Sequence, residues 1–598
     1  MNARFAHVLP FGAEIIATDR VRFRLWAPDL ETLALEIEGA AALPMRRDAA
    51  GWFEGEATAR AGSKYRYRIA AESTVPDPAS RLQCDDVHGW SVVCDPREFV
   101  WRHAQWRGRP WKEAIIYELH VGCCGGFSGV EQRLRELAQL GITAIELMPI
   151  ADFYGARNWG YDGVLPFAPD AAYGTPAQLK HLIDSAHDLG LCVYLDVVYN
   201  HFGPTGNYLH AYASAFFERE KSSGWGAAID FSQPQVREFF TQNALYWLHE
   251  YRFDGLRFDA VHAIGDPLWL DEMAATVRAS AEPDRHIHLM LENENNRAQH
   301  LAGTFDAQWN DDWHNVVHVL LTGEHEGYYA NYTEEPTQRL ARSLAEGFIY
   351  QGEPSPTHRG KPRGSPSAYL PPTAFINFLQ NHDQIGNRAF GERLTTLAQK
   401  SNLHAAIALQ LLSPQIPLLF MGEEWGARTP FLFFTAFDGE LSEAVREGRR
   451  KEFAAFEVFQ DAQRRAHIPD PNALETFTAS IPDFSAAILP EQRGTLTFYR
   501  ELLQLRHQHI VPRLHDCRSS GARAVADAAV VAGWQFGDGA QLQIAVNFSA
   551  TAIAIEPLSA SLLFECGEGS GAAAAAGKLL AHCAIATLAE QGRAGHDG

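Results

Sequence analysis

The chain has 598 residues, 46% of them hydrophobic and 21% charged, with a formal net charge of −22. That length implies about three domains, and the composition is that of a soluble globular protein with no run of about 18 apolar residues to span a membrane. The acidic excess argues against nucleic acid or an anionic membrane as partner and suits an uncharged substrate, although solubility alone is a sufficient reason for it. Eight cysteines, at 84, 94, 123, 124, 192, 517, 566 and 583, include no C-x-x-C pair, which points away from a metal centre and from a disulfide framework. Met1 to His7 lead into no apolar segment, so we expect no secretory signal and a reducing, cytoplasmic location.

Residues 1–104 read as a small β-sandwich. Val21-Arg22-Phe23-Arg24-Leu25-Trp26 and Tyr65-Arg66-Tyr67-Arg68-Ile69 alternate apolar and polar between Gly, Asp and Pro punctuation. Trp26, Trp52, Tyr65 and Tyr67 belong either to its core, the more ordinary use, or to a carbohydrate-binding face. After a Trp-rich linker over 101–111 the pattern changes. Strands are predicted at 114–121, 143–148, 192–198, 255–258, 287–291, 374–379 and 416–420, and helices at 129–140, 176–189, 235–251, 267–280 and 397–412. Such alternation across 105–510 predicts parallel strands with right-handed crossovers, and a closed (β/α)8 TIM barrel is the form that fits. Its loops at 199–232 and 309–372 are long, and 351–372 holds six prolines, the mark of a functional or disordered loop. From 511 to 598, short strands at 529–534 and 541–547 predict a C-terminal β domain, with the alanines at 572–576 as a loop or frayed helix.

In a barrel of this kind, functional groups gather where the strands end. Asp196-Val197-Val198-Tyr199-Asn200-His201 closes one strand and Arg257, Asp259 and His262 close another. Glu292-Asn293-Glu294 ends a third and Gln380-Asn381-His382-Asp383 a fourth. Each motif alone is weak; carboxylates at four strand ends of one barrel make a site. Arg257 and Asp259 stand two apart, hence on one face of a strand. A guanidinium holds a neighbouring carboxylate ionised and fit for nucleophilic attack, although the pair by itself reads equally well as a structural ion pair. Glu292 directly follows an apolar run, where desolvation keeps a carboxyl protonated and ready to donate; Glu294, two residues on, is the alternative. Two carboxyl groups so differentiated are the equipment of glycoside hydrolysis. Asp383 is a third carboxylate, His201 and His382 suit sugar hydroxyls, and Tyr161 in Trp159-Gly160-Tyr161-Asp162-Gly163 is placed to stack on a sugar ring. The Asn200 loop lacks the dense oxygen ligands of a calcium site, and neither metal nor cofactor is expected.

Together the four segments resemble, in order and spacing, the short regions of the α-amylase clan, glycoside hydrolase family 13. The resemblance implies Asp259 as nucleophile, Glu292 as general acid/base and Asp383 as transition-state stabiliser. It places Arg257, His201, His382 and Tyr161 around the sugar in subsite −1, with Asp196 supporting the site, and implies a retaining mechanism through a covalent glycosyl–enzyme. Trp159, His262 and Asp311, from matching stretches, are expected to meet substrate. A finer likeness, to the maltooligosyltrehalose trehalohydrolase subgroup, is carried by 152–163, 310–314, 321–324, 327–329, 380–388, 429–435 and 448–453. It implies maltooligosyltrehalose as substrate, cut at the α-1,4 bond next to the terminal trehalose; a glycogen branching or debranching enzyme of the clan is the alternative. Cys123-Cys124-Gly125-Gly126-Phe127, and Ala436 where the subgroup carries an aspartate, depart from the pattern.

Overall fold

A computed structural model describes residues 2–222, 225–456 and 460–590; residues 591–598 of the expected C-terminal domain and 223–224 of the expected long loop lie outside the described residues. Eight parallel strands close a central barrel: Ile116–Leu119, Ala144–Leu147, Cys192–Val197, Gly255–Phe258, His288–Leu291, Ala307–Trp309, Phe375–Phe378 and Ile416–Phe420. Buried on both faces, most of them read in sequence as short apolar runs. Ala307–Trp309 is the strand that periodicity misses: three residues are too few to show a pattern, and it is defined by its pairing with Met290 and Leu291 on one side and Phe375 and Ile376 on the other.

The expected loop over 309–372 is therefore largely regular. It contains the helices Asp311–Thr322 and Pro336–Glu346 and a hairpin of Gln351–Ser355 with Lys361–Gly364. Arg363 in that hairpin is buried, and its guanidinium donates to the Glu294 carbonyl (2.7 Å) and the Tyr332 hydroxyl (2.9 Å) and pairs with Asp312 (3.1 Å). Those partners order the proline-rich segment.

Inside the barrel the ladder sorts side chains by height. Ile116, Ala144 and Tyr194 belong to an apolar layer. Two residues further along the same strand faces come Glu118, Glu146 and Asp196, and Arg257 follows Gly255 in the same way. The charged layer lies towards the carboxyl ends of the strands, where the loops open.

The N-terminal sheets form a sandwich whose aromatic residues are structural. Tyr65 and Tyr67 are buried and donate their hydroxyls to Asp77 (2.8 and 3.1 Å), which corrects the reading of these tyrosines as a carbohydrate-binding face. Trp26 packs on Phe216, Trp52 stacks on Phe11, and Phe11 meets Phe167 and Phe239 of the barrel, so this side of the sandwich is its seam with the barrel. The C-terminal domain is a five-stranded sheet between Arg518 and Ala589 with a short helix, Ser570–Ala575. It is tied to the barrel helix Lys400–Leu412 through Asn402, which donates to the Phe548 carbonyl (2.9 Å) and bonds His582 (2.8 Å). Among the described residues no helix is long and apolar enough to cross a membrane.

The short helix His382–Gly386 is capped by Asn381, whose side chain accepts from Gln384 N (2.8 Å). Gly386 faces Trp159 so closely that a Cβ there would stand 2.0 Å from Trp159 Cζ2. Gly386→Ala should overpack this contact, lowering stability in a denaturant titration by about 1–3 kcal/mol and moving the tryptophan fluorescence as the Trp159 ring is displaced.

Candidate active site

The strand ends bring the sequence motifs together around one guanidinium. Arg257 is 1% exposed; its Nη1 donates to Asp196 Oδ2 (2.6 Å) and Asp259 Oδ1 (2.8 Å), and its Nη2 to Glu292 Oε2 (2.8 Å). The guanidinium carbon lies 4.1 Å from the ring centroid of Trp309, a cation–π contact that holds the fork in place. Backbone explains the convergence. Asp196 pairs with Arg257 across the ladder, and the ladder runs one residue past the strand ends, with Asp259 N on the Val197 carbonyl and Glu292 N on the Phe258 carbonyl (3.0 Å each). Ala260, in the left-handed region at φ 39°, turns its N–H onto Glu292 Oε2 (2.9 Å). Asn200 Nδ2 holds the other oxygen of Asp259 (3.1 Å).

Three carboxylates on one cation leave an excess of negative charge in a partly dry site. Burial pushes the Asp196 carboxyl up to about 7, Arg257 pulling against it and Asp259 adding to it. Burial also raises Asp383, opposed by His382 and reinforced by the charge of Glu292. Asp311 is held well above the carboxylate range by burial and by Glu292 and Asp383. Asp311 accepts weakly from Gln384 Nε2 (3.4 Å), and Asp383 accepts from Asn387 Nδ2 (2.6 Å).

The structure corrects the argument that Glu292 is kept dry by its apolar strand. Its side chain is 23% exposed, against 13% for Asp259 and 1% for Asp196, because it lies beyond the strand in the opening cleft. The strong desolvation falls on Asp196 instead. Glu294 turns away from the cluster: its side chain is 51% exposed and faces His262 (3.8 Å) and His358 (3.9 Å).

The remaining expected residues divide. Tyr161 donates to Asp196 Oδ2 (2.6 Å), and the ring it stacks on is His382, at 5.0 Å and 25°. His201 faces the Tyr161 carbonyl through Nε2 (2.9 Å) and Asn200 Oδ1 through Nδ1; burial lowers its pKa, and the neutral ring donates to one of these two oxygens, which places it as a brace beside Asn200 and Tyr161. Trp159 is buried behind His382, edge-on to it at 5.5 Å, stacked on Phe431 and bonded to the Leu432 carbonyl (2.9 Å). It is a support, not a cleft surface. His262 sits at the rim, its Nδ1 accepting from Glu294 N (3.4 Å). Ala436 abuts the 152–163 loop at Gly155, where a Cβ would stand 2.9 Å from its own, so the small side chain permits that approach. Sequence reasoning missed Glu118 and Glu146. The available signal was a lone carboxylate inside a doubly buried strand.

A closed barrel with this carboxylate cluster at its strand ends defines a glycoside hydrolase of the α-amylase type, and residues 99–227 match the family model described as "Alpha amylase, catalytic domain", while 517–586 match a domain of unknown function, DUF3459. The chain is 40% identical over 508 residues to the malto-oligosyltrehalose trehalohydrolase of Deinococcus radiodurans, covering 83% of this chain and 82% of that protein. It is 38% identical over 507 residues to the protein of the same description from Saccharolobus solfataricus, covering 82% and 86%. A crystal structure of a Salmonella typhimurium protein, provisionally described as an alpha amylase, aligns with a TM-score of 0.92 at 44% identity over 98% of this chain and 100% of that one. The chain belongs to the malto-oligosyltrehalose trehalohydrolase family.

Arg257→Lys keeps a positive charge but loses the fork, so it cannot hold Asp196, Asp259 and Glu292 at once. With charge-assisted bonds contributing about 1.5–3 kcal/mol each, we expect at least about a 100-fold fall in kcat/KM and a measurable loss of stability by thermal melting.

Proposed function

We propose that the protein hydrolyses the α-1,4-glucosidic bond adjacent to the terminal trehalose of maltooligosyltrehalose, releasing trehalose and a maltooligosaccharide. The observation that carries this reading is the pair Asp259 and Glu292, held by the two ends of one guanidinium in a chain of this family. Two carboxyl groups bridged by one guanidinium suit the retaining mechanism, in which the pair stands about 5–5.5 Å apart with no room for a water between base and sugar.

Asp259, ionised against Arg257 and Asn200, attacks the anomeric carbon of the glucose in subsite −1. Glu292 gives its proton to the departing glycosidic oxygen, and trehalose leaves. Water then attacks the glycosyl–enzyme ester as Glu292 takes its proton, and the maltooligosaccharide leaves with its configuration retained. Asp383 and His382 stand beside the sugar on the far strand end, and the buried negative charge of the cluster stabilises the oxocarbenium-like transition state. Asp311 lies near Glu292 and Asp383, close enough for their charges to raise it, and we assign it to substrate contact. We assign 1–104, 105–510 and 511–598 as the sandwich, catalytic and C-terminal domains. We place the reaction in the cytoplasm; the eight free cysteines support this.

Incubation with maltotriosyl-trehalose should yield free trehalose, read by chromatography; action confined to α-1,6 branch points would overturn the reading in favour of a debranching or branching enzyme. Asp259→Asn and Glu292→Gln should each lower kcat by at least about 1,000-fold, while Glu294→Gln stays within about tenfold of wild type. A dead Glu294→Gln with an active Glu292→Gln would exchange the two assignments.

A further inference from the structure

Glu118, in the first barrel strand, takes no part in the chemistry set out above, yet it is 1% exposed and makes two bonds to one residue far away in sequence. Its Oε2 accepts from the backbone N–H of His382 (3.0 Å) and its Oε1 bonds His382 Nδ1. One carboxylate thus fixes both the main chain at the start of the His382–Gly386 helix and the orientation of the ring. Tyr161 covers one face of that ring, Trp159 meets it edge-on, and Trp309 lies at 6.0 Å. Among the described residues no hydrogen bond uses Nε2, the nitrogen opposite Glu118.

We infer that Glu118 is a positioning residue that anchors His382 through Nδ1–H, so that the ring presents an Nε2–H donor to a hydroxyl oxygen of the sugar in the cleft. The inference rests on the assignment of this cleft as the glycosidase site. A neutral ring with its proton on Nδ1 has a bare Nε2 and only accepts; an imidazolium donates from both nitrogens. Glu118 therefore decides the tautomer, and protonation decides whether the sugar meets a donor.

The groups facing His382 favour the donor. Burial alone lowers a histidine pKa, but the charge and hydrogen bond of Glu118 outweigh it, Asp383 adds to them, Arg257 opposes, and the pKa ends raised. A control sits on the chain just past Glu118: His120, equally buried, has no carboxylate partner, bonds the Asn158 carbonyl and Cys123 N, and is lowered to about 4. The further acid in the ladder, Glu146, is paired in register with Glu118 and is pushed well above the carboxylate range by burial and by Glu118 itself. It does not compete for the proton of His382 as a second anion.

The sign of the pH effect follows. A raised histidine pKa keeps the donor present at low pH and loses it as pH rises through that value, so removing the charge of Glu118 moves the loss to lower pH. In Glu118→Gln the alkaline limb of kcat/KM should shift down by about one pH unit or more, with activity at acid pH recovering to within about tenfold of wild type. Glu118→Asp, which keeps the charge, should retain the wild-type limb. A merely structural role would lower activity by the same factor at every pH, and that result overturns the inference. A second readout needs no substrate: the nitrogen-15 resonances of the His382 ring in the free enzyme, assigned with a His382→Gln variant, should show it titrating above an ordinary histidine in wild type and lower in Glu118→Gln. A wild-type ring that titrates at or below the range of an ordinary histidine overturns the inference even if Glu118→Gln fails to fold. If wild type releases no trehalose while the ring titrates as stated, the substrate assignment fails and the role of Glu118 stands.

Discussion

Everything in the cleft is arranged around the shortage of positive charge at Arg257. One buried guanidinium faces Asp196, Asp259 and Glu292, and taking that many charges out of water is unfavourable unless each is well bonded. The structure meets the demand with fixed neutral donors. Tyr161 serves Asp196, Asn200 serves Asp259, and the Ala260 N–H serves Glu292. The last depends on the backbone being held in an uncommon place, Ala260 with its left-handed φ of 39°. Strain of this kind persists where the surroundings over-determine it.

Behind these donors lies a second tier that does not touch the reacting bond. His201 stands as a brace beside Asn200 and Tyr161, Trp159 packs behind His382, and Glu118 holds His382 from the opposite side of the barrel closure. Because the strands alternate faces, the interior passes from an apolar layer to a layer of acids within two residues of each strand. The apolar layer gives rigidity and the charged layer gives chemistry; the short step between them is what lets a packed barrel carry ionised groups at its mouth.

Two of the motifs that make this chain resemble its subgroup, around Asp312 and Glu324, are each held by a network of hydrogen bonds. Asp312 accepts from the Ile349 and Tyr350 amides, Asn296 and the Tyr332 hydroxyl (2.8, 3.1, 2.8 and 2.6 Å), and Glu324 joins His318 to Arg388 in a bonded chain. These contacts tie the segment after the sixth strand to the loop that carries Asp383.

Sequence alone determined the reaction class and most of the frame. Seven of the eight barrel strands, the two flanking β domains and the residues that converge on Arg257 were legible, because each signal was local: an apolar run, a two-residue spacing, a polar cluster at a strand end. What sequence could not decide is what depends on neighbours distant along the chain. Ala307–Trp309 is a strand only because Met290 and Phe375 flank it. His201 and Trp159 read as sugar contacts until their partners were visible, and Glu292 read as dry until the opening of the cleft placed it in reach of water. Glu118 gained meaning only from a ring 264 residues away. A side chain's type is written in the sequence, but its hydrogen-bond partners and its solvent exposure, which set its charge and its use, are properties of the closed barrel.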